Sequence, residues 1–352
     1  VKLPIEPPFP PMEARLVSRL PTGENWLYEP KWDGFRCLVF RDGDAVELQS
    51  KAGKPLARYF PELVERIRAI DADGFVLDGE IVVPVEGLFS FDDLLQRIHP
   101  AASRVNRLAR EFPATLIVFD LLVDSDGTLL VNEPLASRRE RLEGFARRHL
   151  PDRAGFFSLS DVTLDAATAR QWLESASVNR DGVMAKRLDM GYQPGDRNGM
   201  QKVKKMRTAD CVVGGFRYSE SSYEEGQLVE KERRQVGSLL LGLHDEEGLL
   251  HHVGFCSGLN ANERKSLVDE LEAIIAPPGF TGSAPGGPSR WNTERTAQWQ
   301  PIAPLLVVEV EWDHFTGGRF RHGTKLLRRR PDKAPRQCTM DQVWKTAPGR
   351  ED

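Results

Sequence analysis

The chain is 352 residues long, 40% hydrophobic and 28% charged, with a net charge of −4. That length favours two cores over one, the composition is that of a soluble globular protein, and no run approaches the ~20 apolar residues of a membrane helix. Four scattered cysteines (Cys37, Cys211, Cys256, Cys338) without a C-x-x-C pair argue against a zinc module or disulfide framework and for a reducing cytoplasm, and residues 1–8 lack the apolar centre of a signal peptide.

In chain order, Pro4, Pro7, Pro8, Pro10 and Pro11 predict an extended N-terminal arm. Residues 26–29, 37–41 and 45–49 read as strands, with Arg41-Asp42-Gly43-Asp44 as a hairpin turn. Residues 60–70 carry helical periodicity, and 75–83 read as two strand halves hinged at Gly79. Helices are predicted over 91–98, 104–111, 137–149 and 165–176, an apolar strand over 114–123, and another strand from Asp181. The character changes near Arg207. Strands are predicted over 211–218, 237–244, 249–255 and 305–312, with one principal helix over 262–275. An exposed, mobile loop is expected over 220–235 and a Gly/Pro/Ser-rich loop over 277–288. Short strands with one helix fit a small barrel such as an OB-fold.

Lys31 lies between Glu29 and Asp33, beside Gly34 and Arg36. Two readings stand side by side. One is a charged turn ahead of a strand; the other is a nucleophilic lysine, which must be partly neutral near pH 7 against an unperturbed pKa of ~10.4. Asp78-Gly79-Glu80 places two carboxylates in an apolar strand, costly unless they meet cations or a hydroxyl, and the same three residues also read as a hairpin tip. Phe119, next to Asp120, is either a base-stacking ring or a core residue. Lys186 ends the stretch that begins at Asp181 and is placed to point at phosphate. In Gln201-Lys202-Val203-Lys204, strand alternation turns Lys202 and Lys204 to one face, where both would meet a phosphate and lower the Lys31 pKa by repulsion. A second basic run includes Arg328, Arg329, Arg330 and Lys333. Each run alone reads as a solvated face, and the two together suggest a phosphate-binding surface.

Taken in order, Lys31-x-Asp33-Gly34-x-Arg36, Asp78-Gly79-Glu80, Phe119-Asp120-Leu121-Leu122, Asp181-Gly182-Val183-Met184-Ala185-Lys186 and Lys202-Val203-Lys204 resemble the motifs of the covalent nucleotidyltransferases. The later stretch Arg328-Arg329-Arg330-Pro331-Asp332-Lys333 resembles the C-terminal motif of ATP-dependent DNA ligases, and the size is similar to that of short bacterial enzymes of the ligase C type. The resemblance implies an α+β chain of two domains. Residues 1–207 would form an ATP-grasp-like adenylyltransferase domain with antiparallel sheets, and 208–352 a C-terminal OB-fold β-barrel that binds DNA. It implies that Lys31 attacks the ATP α-phosphate and carries AMP, and that Phe119 stacks on adenine with Glu29 fixing the base. Arg36 and Glu80 would hold ribose, Lys202 and Lys204 the α-phosphate, with Lys51 and Lys186 also in the nucleotide site. Arg330, Asp332 and Lys333 would orient the pyrophosphate, Glu80 and Asp181 would hold Mg²⁺ or Mn²⁺, and residues 206–208 would act as a hinge. Asp181 and Lys51 depart from the glutamate and arginine more usual at their positions. The implied activity is nick sealing in duplex DNA during repair, by a cytoplasmic, monomeric enzyme. The alternatives are an RNA ligase, a capping-type nucleotidyltransferase, or a non-catalytic nucleic-acid clamp.

Overall fold

The computed structural model describes residues 2–150, 155–175, 180–286 and 298–344. It divides into two units, Val1–Lys205 and Met206–Asp352. The first contains strands β1 (Arg15–Leu16), β2 (Trp26–Trp32), β3 (Phe35–Asp42), β4 (Ala45–Ser50), β5 (Gly74–Val82), β6 (Pro84–Val85), β7 (Leu88–Phe89), β8 (Thr115–Val123), β9 (Phe157–Leu159), β10 (Arg180–Arg187) and β11 (Met200–Lys204). Its helices are α1 (Pro61–Arg68), α2 (Phe91–Gln96), α3 (Ala102–Glu111), α4 (Leu135–His149) and α5 (Ala166–Glu174).

Two larger sheets form, in the orders β1-β11-β10-β2 and β4-β3-β5-β8-β9, beside the two-stranded β6-β7 pair. Strand alternation decides their layering. In the first sheet Tyr28, Val183 and Ala185 fall on one face and pack against Ala169 and Trp172 of α5. The opposite face is a grid in register: Lys31, Gly182 and Lys204 in one row, Glu29, Met184 and Lys202 in the next, and Leu27, Lys186 and Met200 in the third. In the second sheet Cys37, Val39, Leu77, Ile81, Leu116 and Val118 pack against Phe60, Leu63 and Ile67 at α1 and against Leu142 and Phe145 of α4. Its other face, with Leu38, Phe40, Val76 and Leu122, meets Leu3 and Met12 of the arm together with Tyr192 and Met200.

The arm is extended, as its prolines predict, and is tied down at several points. The Gln49 side chain accepts from the Phe9 N–H (2.8 Å) and donates to its carbonyl (2.7 Å), and β1 pairs in parallel with β11. Three expectations for this unit are corrected. Asp78-Gly79-Glu80 is neither hinge nor hairpin tip: β5 runs unbroken from Gly74 to Val82, paired on both edges by β3 and β8. Lys31 is not in a turn but is the sixth residue of β2, so its direction is set by a ladder. Helix α5 stops at Glu174; Ala176, in the predicted helix, lies outside the described residues, as do positions 287 and 288 of the predicted loop.

The second unit contains β12 (Arg207–Tyr218), β13 (Tyr223–Glu224), β14 (Gln227–Leu228), β15 (Val236–His244), β16 (Leu250–Cys256), β17 (Gln300–Pro301), β18 (Val307–Trp312), β19 (Phe315–Thr316), β20 (Arg319–Phe320) and β21 (Lys325–Arg329), with helices α6 (Ala261–Glu272) and α7 (Asp341–Trp344). The sheet order is β16-β15-β12-β18-β21, with β17 beside β12. Helix α6 starts at a capping box in which the Asn260 side chain accepts from Asn262 and Glu263 N–H groups and Glu263 reaches back to the Asn260 N–H. Among the described residues the expected barrel is not closed: the five-residue β21 pairs only with β18, and the sheet's two ends touch through the single bridge Cys256↔Thr324. Residues 220–235 are not a featureless loop but hold the β13–β14 hairpin, anchored by Ser222, whose hydroxyl donates to the Gln235 carbonyl (3.1 Å) and accepts from its N–H (2.9 Å). The basic run at 325–329 is itself a strand, unrecognised because Lys and Arg mask its period. All four cysteines are free and buried.

His252 in β16 carries a testable consequence. Its Nδ1 accepts from Arg319 Nη2 (3.2 Å), so the proton of the neutral ring sits on Nε2, which has no partner among the described residues. Burial, reinforced by Arg319 and Arg217, pushes its pKa down to about 3. At neutral pH neither state is protonated and the ring contributes no pH dependence. Below an unfolded value of 6.5 the unfolded chain binds a proton that the folded ring refuses until about 3, so stability falls with acid across that window. His252→Gln is therefore expected to reduce the loss of stability of the second unit between about pH 7 and about pH 5 by roughly 2 kcal/mol, read from urea unfolding at both pH values.

Candidate active site

A cleft of about 190 Å³ in the first unit is lined by Glu29, Lys31, Met184, Lys186, Met200 and Lys202 from the first sheet, Arg36, Glu80 and Phe119 from the second, Met12, Glu13 and Ala14 from the arm, and Lys51 after β4. The motif stretches thus converge from strands far apart in sequence.

Lys31 Nζ donates to Asp181 Oδ1 at 2.8 Å, and Lys204 Nζ lies 3.6 Å from Asp181 Oδ2. One carboxylate therefore bridges the two lysines that flank Gly182 in their row. The environment corrects the expected sign at Lys31. Burial is the largest single influence and pulls its pKa down, but Asp181, Glu80 and Asp33 together outweigh it and hold the ammonium above its ordinary value. The cationic repulsion instead falls on Lys202, lowered by burial and by Lys31, Lys51 and Lys204. Burial pushes the Glu80 carboxyl up to about 7, against the pull of Arg36 and Lys31.

The Lys186 ammonium pairs with the buried Glu29 carboxylate (3.0 Å) and stands 4.4 Å over the Phe119 ring. Arg36 approaches the same ring at 4.7 Å, so Phe119 lies beside two cations at one end of the cleft. Arg36 is clamped by Asp78, Nε to Oδ1 at 2.5 Å and Nη2 to Oδ2 at 2.6 Å, and the Tyr192 hydroxyl donates to the same Oδ2 (2.6 Å) while accepting from the Met12 N–H (2.9 Å). Lys51 Nζ sits 3.2 Å from Glu13 Oε2. Arg330, Asp332 and Lys333 belong to the second unit, where Arg330 and Lys333 are bonded to Asp210.

Two motif glycines have a steric reason. A Cβ on Gly34 would lie 2.2 Å from the Ile81 carbonyl oxygen, and one on Gly182 2.0 Å from that of Val203, both backbone atoms that cannot rotate away. Gly182→Ala is expected to cost about 1–3 kcal/mol and to part β10 from β11, weakening nucleotide binding along with stability; urea unfolding and ATP titration would both move.

Sequence reasoning missed Glu13, Tyr192 and Asp210. None stands in a local pattern; each becomes visible only through a partner distant in sequence. Among the described residues no group of three His, Cys, Asp or Glu side chains forms a protein-only metal site. No helix among them is long and apolar enough to cross a membrane.

The family model described as "ATP dependent DNA ligase domain" matches residues 11–204, and that described as "ATP dependent DNA ligase C terminal region" matches 232–333. The chain belongs to the ATP-dependent DNA ligases. It is 42% identical to DNA ligase C2 of Mycolicibacterium smegmatis over 358 residues, covering 97% of this chain and 96% of that protein. DNA ligase C of Mycobacterium tuberculosis is 40% identical with the same coverage. A solved structure from a study of Lig E DNA ligases superposes with a TM-score of 0.57 at 16% identity, covering 91% of this chain and 99% of that one, which shows a shared fold. As an ATP-dependent DNA ligase of the short bacterial type, the chain is an enzyme that uses ATP and acts on DNA.

Proposed function

We propose that Lys31 is the residue through which this ligase carries AMP. The observation that carries the reading is the convergence on one cleft of Lys31, Lys202, Glu80, Arg36 and Phe119, from strands that meet only in the folded chain. In the first step a bond forms between Lys31 Nζ and the α-phosphorus of ATP as the bond from that phosphorus to the bridging oxygen of the β-phosphate breaks, releasing pyrophosphate. Lys31, an ammonium in the free site, sheds one proton to solvent to become the attacking amine and a second to the departing pyrophosphate as the N–P bond forms, while Asp181 accepts a hydrogen bond from the nitrogen and aims it. AMP then passes to the 5′-phosphate of a nick, and the 3′-hydroxyl attacks and expels it.

Phe119 stacks on adenine, and Glu29, fixed in place by Lys186, orients the base. Arg36 and Glu80 serve the ribose, and Lys202, Lys204 and Lys51 the phosphates. The departure at Lys51 replaces a fork with a point charge, which Glu13 orients. Glu80 and Asp181 would hold Mg²⁺ or Mn²⁺: such an ion takes one or two carboxylates and completes its shell with substrate phosphates and water, so the absence of a protein-only cluster among the described residues does not conflict with it. When bound, the ion neutralises phosphate charge. Arg330, Asp332 and Lys333 act on the pyrophosphate in the first step only. Residues 1–207 would be the adenylyltransferase domain, 208–352 an OB-type, DNA-binding domain, and 206–208 the hinge. Repair is the setting favoured by 30% identity, over 90% of this chain but 38% of the relative, to a Mycobacterium bovis protein named multifunctional non-homologous end joining protein LigD.

Incubation with ATP labelled at the α-phosphate and Mg²⁺ is expected to label the protein and, with a nicked duplex, to seal it. An adduct formed from GTP or NAD but not from ATP sinks the reading.

A further inference from the structure

We propose that Asp210 is a positioning residue for formation of lysyl-AMP, acting through Arg330 and Lys333. This rests on the reading above that those two cations meet the ATP pyrophosphate. Asp210 stands on β12 with both backbone groups fixed by one side chain: its N–H donates to Gln342 Oε1 (2.9 Å) and its carbonyl accepts from Gln342 Nε2 (3.1 Å). Its carboxylate, 12% exposed, takes Arg330 Nη1 on Oδ1 (3.0 Å) and Lys333 Nζ on Oδ2 (2.7 Å). Asp332 grips the other edge of the same guanidinium, from Nε to Oδ1 at 3.0 Å and from Nη2 to Oδ2 at 2.9 Å.

Two cations so near each other in a turn repel, and each long side chain has many rotamers to choose from. One shared carboxylate offsets the repulsion and fixes both heads side by side. The arrangement leaves N–H groups on both cations for a second anion, since a guanidinium and an ammonium carry more donors than these contacts use. Asp210 is therefore a fixed strut, rooted in the sheet and in α7, that presents a pair of cations from an otherwise exposed turn.

Pyrophosphate is present only in the first step, which makes the inference separable from a structural role. Asp210→Asn and Asp210→Ala are expected to slow lysyl-AMP formation by about 10²-fold, the scale of a misplaced catalytic group, while sealing of a 5′-adenylated nick without ATP stays near wild type and Asp210→Glu recovers part of the loss. Equal losses in both steps with a matching drop in melting temperature would overturn the proposal, leaving Asp210 structural. Normal or faster lysyl-AMP formation in Asp210→Asn, with Arg330→Ala and Lys333→Ala impaired, would also overturn it, leaving Asp210 a bystander or a competitor of the pyrophosphate. Normal lysyl-AMP formation in Arg330→Ala and Lys333→Ala would instead remove the reading on which it rests.

Discussion

Lys31→Ala is expected to form no covalent nucleotide adduct and to lose ATP-dependent nick sealing by on the order of 10³-fold or more, as for removal of a nucleophile that nothing else in the site replaces. The variant should fold normally. Lys31 sits near the end of β2 with its side chain in the cleft, and its removal takes away one cation from a site that also holds Lys51, Lys202 and Lys204. Melting temperature and urea midpoint therefore serve as controls. Lys31→Arg should fail as well: a guanidinium keeps the charge and the Asp181 contact but stays protonated and cannot attack phosphorus. A duplex carrying a ready-made 5′-adenylate should still be sealed, at a reduced rate, because the covalent lysine is needed to make that intermediate and not to consume it. An adduct surviving in Lys31→Ala would move the nucleophile elsewhere.

The second large effect is expected at Arg36. Asp78 is fully buried, and its carboxylate is neutralised by Arg36 through two bonds and by one hydroxyl, that of Tyr192. Arg36→Met would leave a buried carboxylate without its cation, which costs about 3–5 kcal/mol and is a large part of the stability of a domain. Replacing both partners is a different matter. In Arg36→Met/Asp78→Leu the uncompensated charge is gone, and much of that loss should return in urea unfolding. Nucleotide binding should not return with it, since Arg36 lines the cleft and faces Phe119. Recovery of stability without recovery of ATP binding would separate the two roles of this arginine. A single variant as stable as wild type would show that the clamp has no structural role.

Much of the site is legible in the sequence because its residues lie on strands. A period of two places Lys202 and Lys204 on one face, and the motif glycines mark where backbones approach closely. What could not be read is whatever depends on a partner brought in from afar. Tyr192 reaches Asp78 across 114 positions and Lys333 reaches Asp210 across 123, separations at which local pattern carries no information. The error at Lys31 has the same origin. Its lysine neighbours were visible in the sequence, but the contact with Asp181, 150 positions away, reverses the balance of charge around it. The partner of Lys186 could not be read because strand order was unknown; once β10 pairs with β2, its head lies beside Glu29. In the second unit the strands were mostly legible from their apolar alternation, whereas closure into a barrel is a property of edges and not of any one segment.

The three-by-three grid of β2, β10 and β11 also says what kind of sequence drift this enzyme can survive. Each row is spelled by registration, Lys31 with Gly182 and Lys204, Glu29 with Met184 and Lys202, so its meaning lies in spacing as much as in identity. A one-residue slip of β10 against its neighbours would turn Lys186 and Gly182 to the helix side and bring Val183 and Ala185 into the cleft, spoiling every row at once. Point changes spoil one cell. Length variation should therefore collect in the connections between these strands, such as residues 188–199, while the strands themselves keep a fixed count.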